Sequence, residues 1–131
     1  MLDLVLQHVE VRVSSLEAAR RFYVDQLGLE MLDDLPALDM FAVRAGSVRI
    51  SVFGGYEPAV RNDRVGGTHL IFRVRDLDAA VKELTGRGVV FTGGVVEAGG
   101  FIRDRAAVDP DGNTIEFAEY LRDPLLPSRT A

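Results

Sequence analysis

The 131-residue chain has no cysteine and no tryptophan, and only two histidines. Without cysteine there is no disulfide framework and no thiolate chemistry. Basic residues are outnumbered, 15 to 20, giving a net charge of −5. That balance argues against nucleic acid or an anionic membrane as the main partner, because both call for basic surface. No apolar run nears the ~18 residues that span a bilayer. Met1-Leu2-Asp3-Leu4 lacks a basic n-region, so no secretion signal is expected. With no cysteine to require an oxidising compartment, the expected location is cytoplasmic. Aromatic residues make up 8%, too few to favour a pocket built by stacking.

Against these absences stands strong patterning. Val9, Val11 and Val13 alternate with His8, Glu10 and Arg12, the period of a half-buried strand. Ser14 and Ser15 are good helix N-caps, and Glu17, three residues after Ser14, suggests a capping box. Leu16, Ala19, Phe22, Tyr23 and Leu27 form a helical apolar stripe that Gly28 stops. Strands are expected near 29–32, 41–44 and 48–53, with Gly46 in the hairpin. The first half therefore reads βαβββ.

The pattern then starts again 61 residues later. Residues 8–22 align without gaps to 69–83, and six of the fifteen pairs are identical, His8 with His69 among them. A gapless match with equivalent caps marks an internal repeat. The second helix is expected over 77–84, and strands near 89–91, 105–108 and 114–119. The fold class is α+β, as one domain over 1–131. It comprises module 1 (about 4–55), a linker (56–66), module 2 (about 67–120) and a tail (121–131). Gly93-Gly94 and Gly99-Gly100 are expected to flank a soft loop, since neither pair leads into a helix with a lysine as a phosphate cradle would.

One segment concentrates turn chemistry: Asp109-Pro110-Asp111-Gly112-Asn113, followed by a strand-like run that holds Glu116. A carboxylate among strand apolars is costly unless it has a partner. Alternation leaves His8, His69 and Glu116 each on the polar face of its own strand. Two imidazoles and a carboxylate are the donor set of a facial metal triad.

These marks together resemble the vicinal oxygen chelate superfamily, which includes glyoxalases, bleomycin resistance proteins and extradiol dioxygenases. They are His8, Phe22-Tyr23 with Leu27-Gly28, His69 with Val74 and Asp76-Leu77-Asp78-Ala79-Ala80, and the turn at 109–113 before Ile115-Glu116. The resemblance covers residues 5–120. It implies two tandem βαβββ modules forming a cupped mixed sheet, with metal ligands at His8, His69 and Glu116. It further implies a divalent ion (Fe2+, Mn2+, Zn2+ or Ni2+), a small-molecule substrate and a homodimer. The expected activity is a lyase, isomerase or dioxygenase step, in which Glu116 is the only ligand able to act as a base. The competing expectation is a drug-binding protein without catalysis.

The sequence departs from the family at one place. Four-ligand glyoxalases take a further ligand from the last strand of the first module, where this chain has Ser51 or, shifted by two, Arg49. Arg49, Ser51, Tyr56, Arg103, Arg105 and Tyr120 are the candidates to line the cup, while Arg12 and Arg73 read as rim ion pairs.

Overall fold

In a computed structural model of the chain, residues 2–57 and 69–126 are described. The greater part of the expected linker and the end of the tail lie outside them. The chain divides into two compact units, Met1–Val65 with Asp109–Asn113, and Gly66–Val108 with Thr114–Ala131. Each holds a four-stranded mixed sheet.

The first unit runs β1 (His8–Arg12), α1 (Leu16–Arg20), β2 (Glu30–Leu35), β3 (Met40–Ala45) and β4 (Val48–Phe53), in sheet order β1-β4-β3-β2. Strands β1 and β4 are parallel and the other pairs antiparallel. The second unit repeats this with β5 (Leu70–Arg73), α2 (Leu77–Gly86), β6 (Val90–Ala98), β7 (Ile102–Val108) and β8 (Thr114–Tyr120), in order β5-β8-β7-β6. The helices are capped at equivalent positions, where the Ser15 and Asp76 side chains accept from Ala18 and Ala79 N–H, each at 3.1 Å.

Four details differ from the sequence expectation. Ser15 is the N-cap and Ser14 is engaged elsewhere, so the Ser14–Glu17 capping box is not formed; Glu17 instead meets Arg21 at 3.3 Å. The first helix is not α-helical throughout, because Arg21–Gln26 forms a π-helix, with Leu27 N–H donating to the Phe22 carbonyl. Phe22 and Tyr23 are both buried there, their rings edge to face at 4.9 Å, and the wider turn accompanies the burial of two adjacent aromatics.

The other two concern β6 and β2. Strand β6 extends through Gly93-Gly94, which therefore sit inside a strand rather than beside a loop. A register break between Thr92 and Val96 absorbs them, and Gly93 takes φ 64° as such a bulge allows. Gly99 and Gly100, at φ 58° and 60°, close the tight β6–β7 turn, which needs positive φ at both central residues. Strand β2 also reaches further than expected, to Leu35.

Register assigns the faces. In the first unit Val11, Phe41, Val43, Ile50 and Val52 face the helix, and the Arg20 guanidinium lies 5.4 Å from the Phe41 ring centre. In the second, Ile115, Phe117 and Glu119 share the helix side, and Glu119 accepts from Leu77 N–H at 2.9 Å. Phe117 stacks with Phe72 at 5.8 Å and meets Phe91 at 5.7 Å. Burying such rings is the main stabilising term on this side of the sheet.

Candidate functional site

The turn at Asp109–Asn113 is the most heavily bonded polar feature of the first unit. Asp109 is 4% exposed. One of its carboxylate oxygens accepts from the backbone N–H of Asp111 (3.0 Å) and Asn113 (2.7 Å). The other accepts from the Tyr23 hydroxyl (3.0 Å) and the Asn113 amide (2.9 Å). Burial first, and then the Asp109 charge, push the Tyr23 phenol well above its ordinary range. Asp111 carries both its oxygens to Ser14, accepting from the N–H and from Oγ, each at 2.9 Å. Gly112, at φ 84°, lets the turn close. The sequence marks this segment as a turn, but nothing in it names Tyr23 and Ser14 as its partners, 86 and 97 residues away.

On the helix-free face of the second unit, His69 Nδ1 lies 3.5 Å from Glu116 Oε2. Both side chains are partly accessible, at 48% and 23%. Glu116 is held by β8 between Ile115 and Phe117, which point the other way into the core. Its sheet neighbours are Ile71 and Ala106, neither of which competes for it. Two ligands of one ion at ~2.0–2.2 Å in tetrahedral geometry have donor atoms about 3.4 Å apart, so this pair fits two positions on a metal. Among the described residues no group of three or more His, Cys, Asp or Glu is placed to hold an ion.

The corresponding face of the first unit is different. His8 is exposed at the start of β1 and makes no hydrogen bond or ion pair with a described residue. Arg12 pairs with Glu10 at 2.8 Å and lies 5.1 Å from the Tyr56 ring centre; these contacts raise its already high pKa. Arg49 pairs with Asp33 at 2.6 Å and donates to Ser51 Oγ at 3.1 Å. Register also resolves the alignment of the last strands. Val9 is opposite Ile50 as Leu70 is opposite Ile115, which makes Ser51, and not Arg49, the counterpart of Glu116.

Tyr120 shares the face of Glu116, with its ring 5.4 Å from Phe101. Arg103 and Arg105 do not. They sit opposite Glu119 and Phe117, on the helix side. Arg103 bridges Glu119 (3.7 Å) and Asp78 (3.4 Å), tying α2 to the sheet. Arg105 lies over Phe91 at 5.2 Å and donates to the Gly93 carbonyl at 3.0 Å, fastening the bulge. The alternation that singles out Glu116 also assigns these arginines to the other side.

The family model for the Glyoxalase/Bleomycin resistance protein/Dioxygenase superfamily matches residues 5–117. The chain belongs to this superfamily. Its sequence is 30% identical to the YwkD protein of Bacillus subtilis (strain 168) over 92 residues, 64% of this chain and 72% of that protein. A glyoxalase/bleomycin resistance protein/dioxygenase from Alicyclobacillus acidocaldarius has the same fold. Its TM-score is 0.76 at 20% identity, covering 94% of this chain and 96% of that one. TnmS3, an antibiotic binding protein from Streptomyces sp. CB03234, is similar with TM-score 0.72 and 27% identity, covering 92% and 98%. The superfamily thus contains both catalysts and binding proteins. Among the described residues no helix is long and apolar enough to cross a membrane.

Proposed function

We propose that the protein is a small metal-dependent enzyme acting on a small molecule with two neighbouring oxygens. The observation that carries the reading is the approach of His69 to Glu116 on an accessible sheet face. In this reading both are metal ligands, and His8 of the first module is the third donor. The ion, one of Fe2+, Mn2+, Zn2+ or Ni2+, would supply Lewis acidity to developing negative charge on the substrate. Glu116 is the one ligand that can also exchange a proton. Ser51, standing where a second carboxylate would be, leaves no other base on the first module's last strand, so turnover of a glyoxalase I hemithioacetal substrate is expected to be weak or absent.

The two modules act together as one cytoplasmic domain in this reading, and the protein is a homodimer. Leu2, Leu4, Val5 and Leu6, together with Leu125 and Leu126 in the tail, are exposed apolar residues that support self-association.

The test is metal content of protein purified without added metal, followed by titration of the apoprotein. His69→Ala and Glu116→Gln should each weaken binding of the retained ion at least tenfold while leaving the fold intact, as expected for accessible side chains. Undiminished stoichiometric metal in either variant overturns the assignment. A second reading is supported by the similarity to TnmS3: a drug-binding protein without catalysis. It predicts no retained metal and tight binding of an aromatic antibiotic.

A further inference from the structure

The two units carry the same structural position at the end of their first strands, and they treat it differently. In the first unit Ser14 is covered by the Asp111 carboxylate, through two hydrogen bonds of 2.9 Å. Arg12, two residues earlier, is occupied by Glu10 and by the Tyr56 ring. Every strong donor there has an acceptor or a π face.

In the second unit the 61-residue repeat puts Arg73 in the place of Arg12 and Arg75 in the place of Ser14. Glu10 is replaced by Ile71, so the acceptor that holds the first arginine is gone. Neither guanidinium has a hydrogen bond, ion pair or ring contact with another described residue. Instead an open cleft of about 320 Å³ is lined by Arg73, Val74, Arg75 and Tyr120. Two guanidinium groups without a partner among the described residues and a phenol line one concavity, in a chain whose net charge is −5.

We propose that this cleft is a binding site for a small organic carboxylate. Guanidinium groups present paired N–H donors that match the two oxygens of a carboxylate, and the charge strengthens each bond. Tyr120 adds a hydroxyl donor and Val74 an apolar wall. The volume is at the lower end of the range of small-molecule pockets and suits a ligand the size of a di- or tricarboxylic acid. A carboxylate, rather than another anion, is indicated by the first unit, where the corresponding backbone position is filled by the carboxylate of Asp111. The site lies within the second unit and does not depend on the metal reading. Arg73 is four residues along from His69, roughly 13 Å at the rise of a strand.

The experiment is a two-dimensional 1H–15N NMR titration of the full chain with succinate at constant ionic strength, with inorganic phosphate as a parallel arm. Saturable shifts are expected at the amides of residues 73–76 and 120, with none at Ser14. Arg73→Gln and Arg75→Gln should each weaken succinate binding at least fivefold, and the double variant should abolish saturation. Both arginines are exposed, and an unchanged spectrum elsewhere establishes that the variants fold. Arg75→Lys should bind with intermediate affinity, since it keeps the charge and loses the fork. His69→Ala should bind succinate as the parent does, which separates this site from the metal site. Absence of saturable shifts, or equal affinity in the double variant, overturns the proposal. Tighter binding of phosphate than of succinate overturns the choice of carboxylate.

Discussion

The two units share one strand order and one pattern of caps, yet their helix-free faces carry opposite chemistry. In the first, charge is plentiful and paired within the sheet: Arg12 with Glu10, Arg44 with Glu30, Arg49 with Asp33. In the second, register puts Ile71, Val90 and Thr92 where these three carboxylates stand. Ile71 replaces Glu10, and Ala106 and Ile71 flank Glu116. That leaves a His69–Glu116 pair and two arginines without partners among the described residues. On this face the first copy pairs its arginines with its own carboxylates, and the second leaves Arg73 without a partner among the described residues.

The comparison can be broken first at Asp109, which accepts four hydrogen bonds in a buried place. Asp109→Ala strands the Tyr23 hydroxyl and two backbone N–H groups, at ~1–3 kcal/mol for each unsatisfied group. A loss of about 3 kcal/mol or more, read as a fall in the urea midpoint, is expected. A change within error would mean that the turn does not secure the first unit.

Asp111→Ala should cost about 2 kcal/mol, the scale for losing hydrogen bonds to a charged acceptor at a part-buried site. Ser14→Ala in the same background should add little, because the two residues share one interaction. Additive losses in the double variant would show that they act separately.

Ser51→Glu makes the first unit imitate the second by placing a carboxylate at the counterpart of Glu116. Zn2+ affinity should rise about tenfold, some 1.4 kcal/mol, measured by competition with a chromophoric chelator. Capture of the new carboxylate by Arg49 would appear as unchanged affinity and would remove position 51 from the metal reading.

Tyr23→Phe should cost about 1 kcal/mol at neutral pH, with a larger signature in alkali. The folded phenol holds its proton above the ordinary value of 10.0, so the unfolded chain releases it first. The stability this contributes is complete below pH 10 and is lost as pH rises beyond it. The parent should therefore lose stability more steeply above pH 10 than the variant. Parallel curves would show that Tyr23 is not the group responsible. The smallest effect is expected for Arg75→Ser, which writes the first unit's residue into the second. An exposed side chain without a partner among the described residues should change stability by no more than about 0.5 kcal/mol, a control for the binding loss argued above.

Much of this was legible in advance, for local reasons. Period-2 alternation fixes which side of a strand a residue occupies, so the separation of Glu116 from Ile115 and Phe117 needs no tertiary information. The repeat is visible because caps and glycines recur at one spacing. Arg103 and Arg105 lie on a different strand, and only the β7–β8 register, which sets them opposite Glu119 and Phe117, places them on the helix side. The glycines at 93 and 94 mislead because a bulge and a loop ask for the same residue, and only the pairing partner tells them apart.

By itself, then, the sequence determined the modules, the strand faces and the family, since each follows from neighbours within a dozen residues. Tertiary structure alone decided that the Asp109–Asn113 turn belongs with Tyr23 and Ser14, that His69 reaches Glu116, and that Arg73 and Arg75 find no partner among the described residues. Those outcomes depend on which distant donors and acceptors meet among the described residues. Hydrogen bonds and ion pairs act over about 3–4 Å, and that proximity is a property of the folded chain and not of the order of its residues.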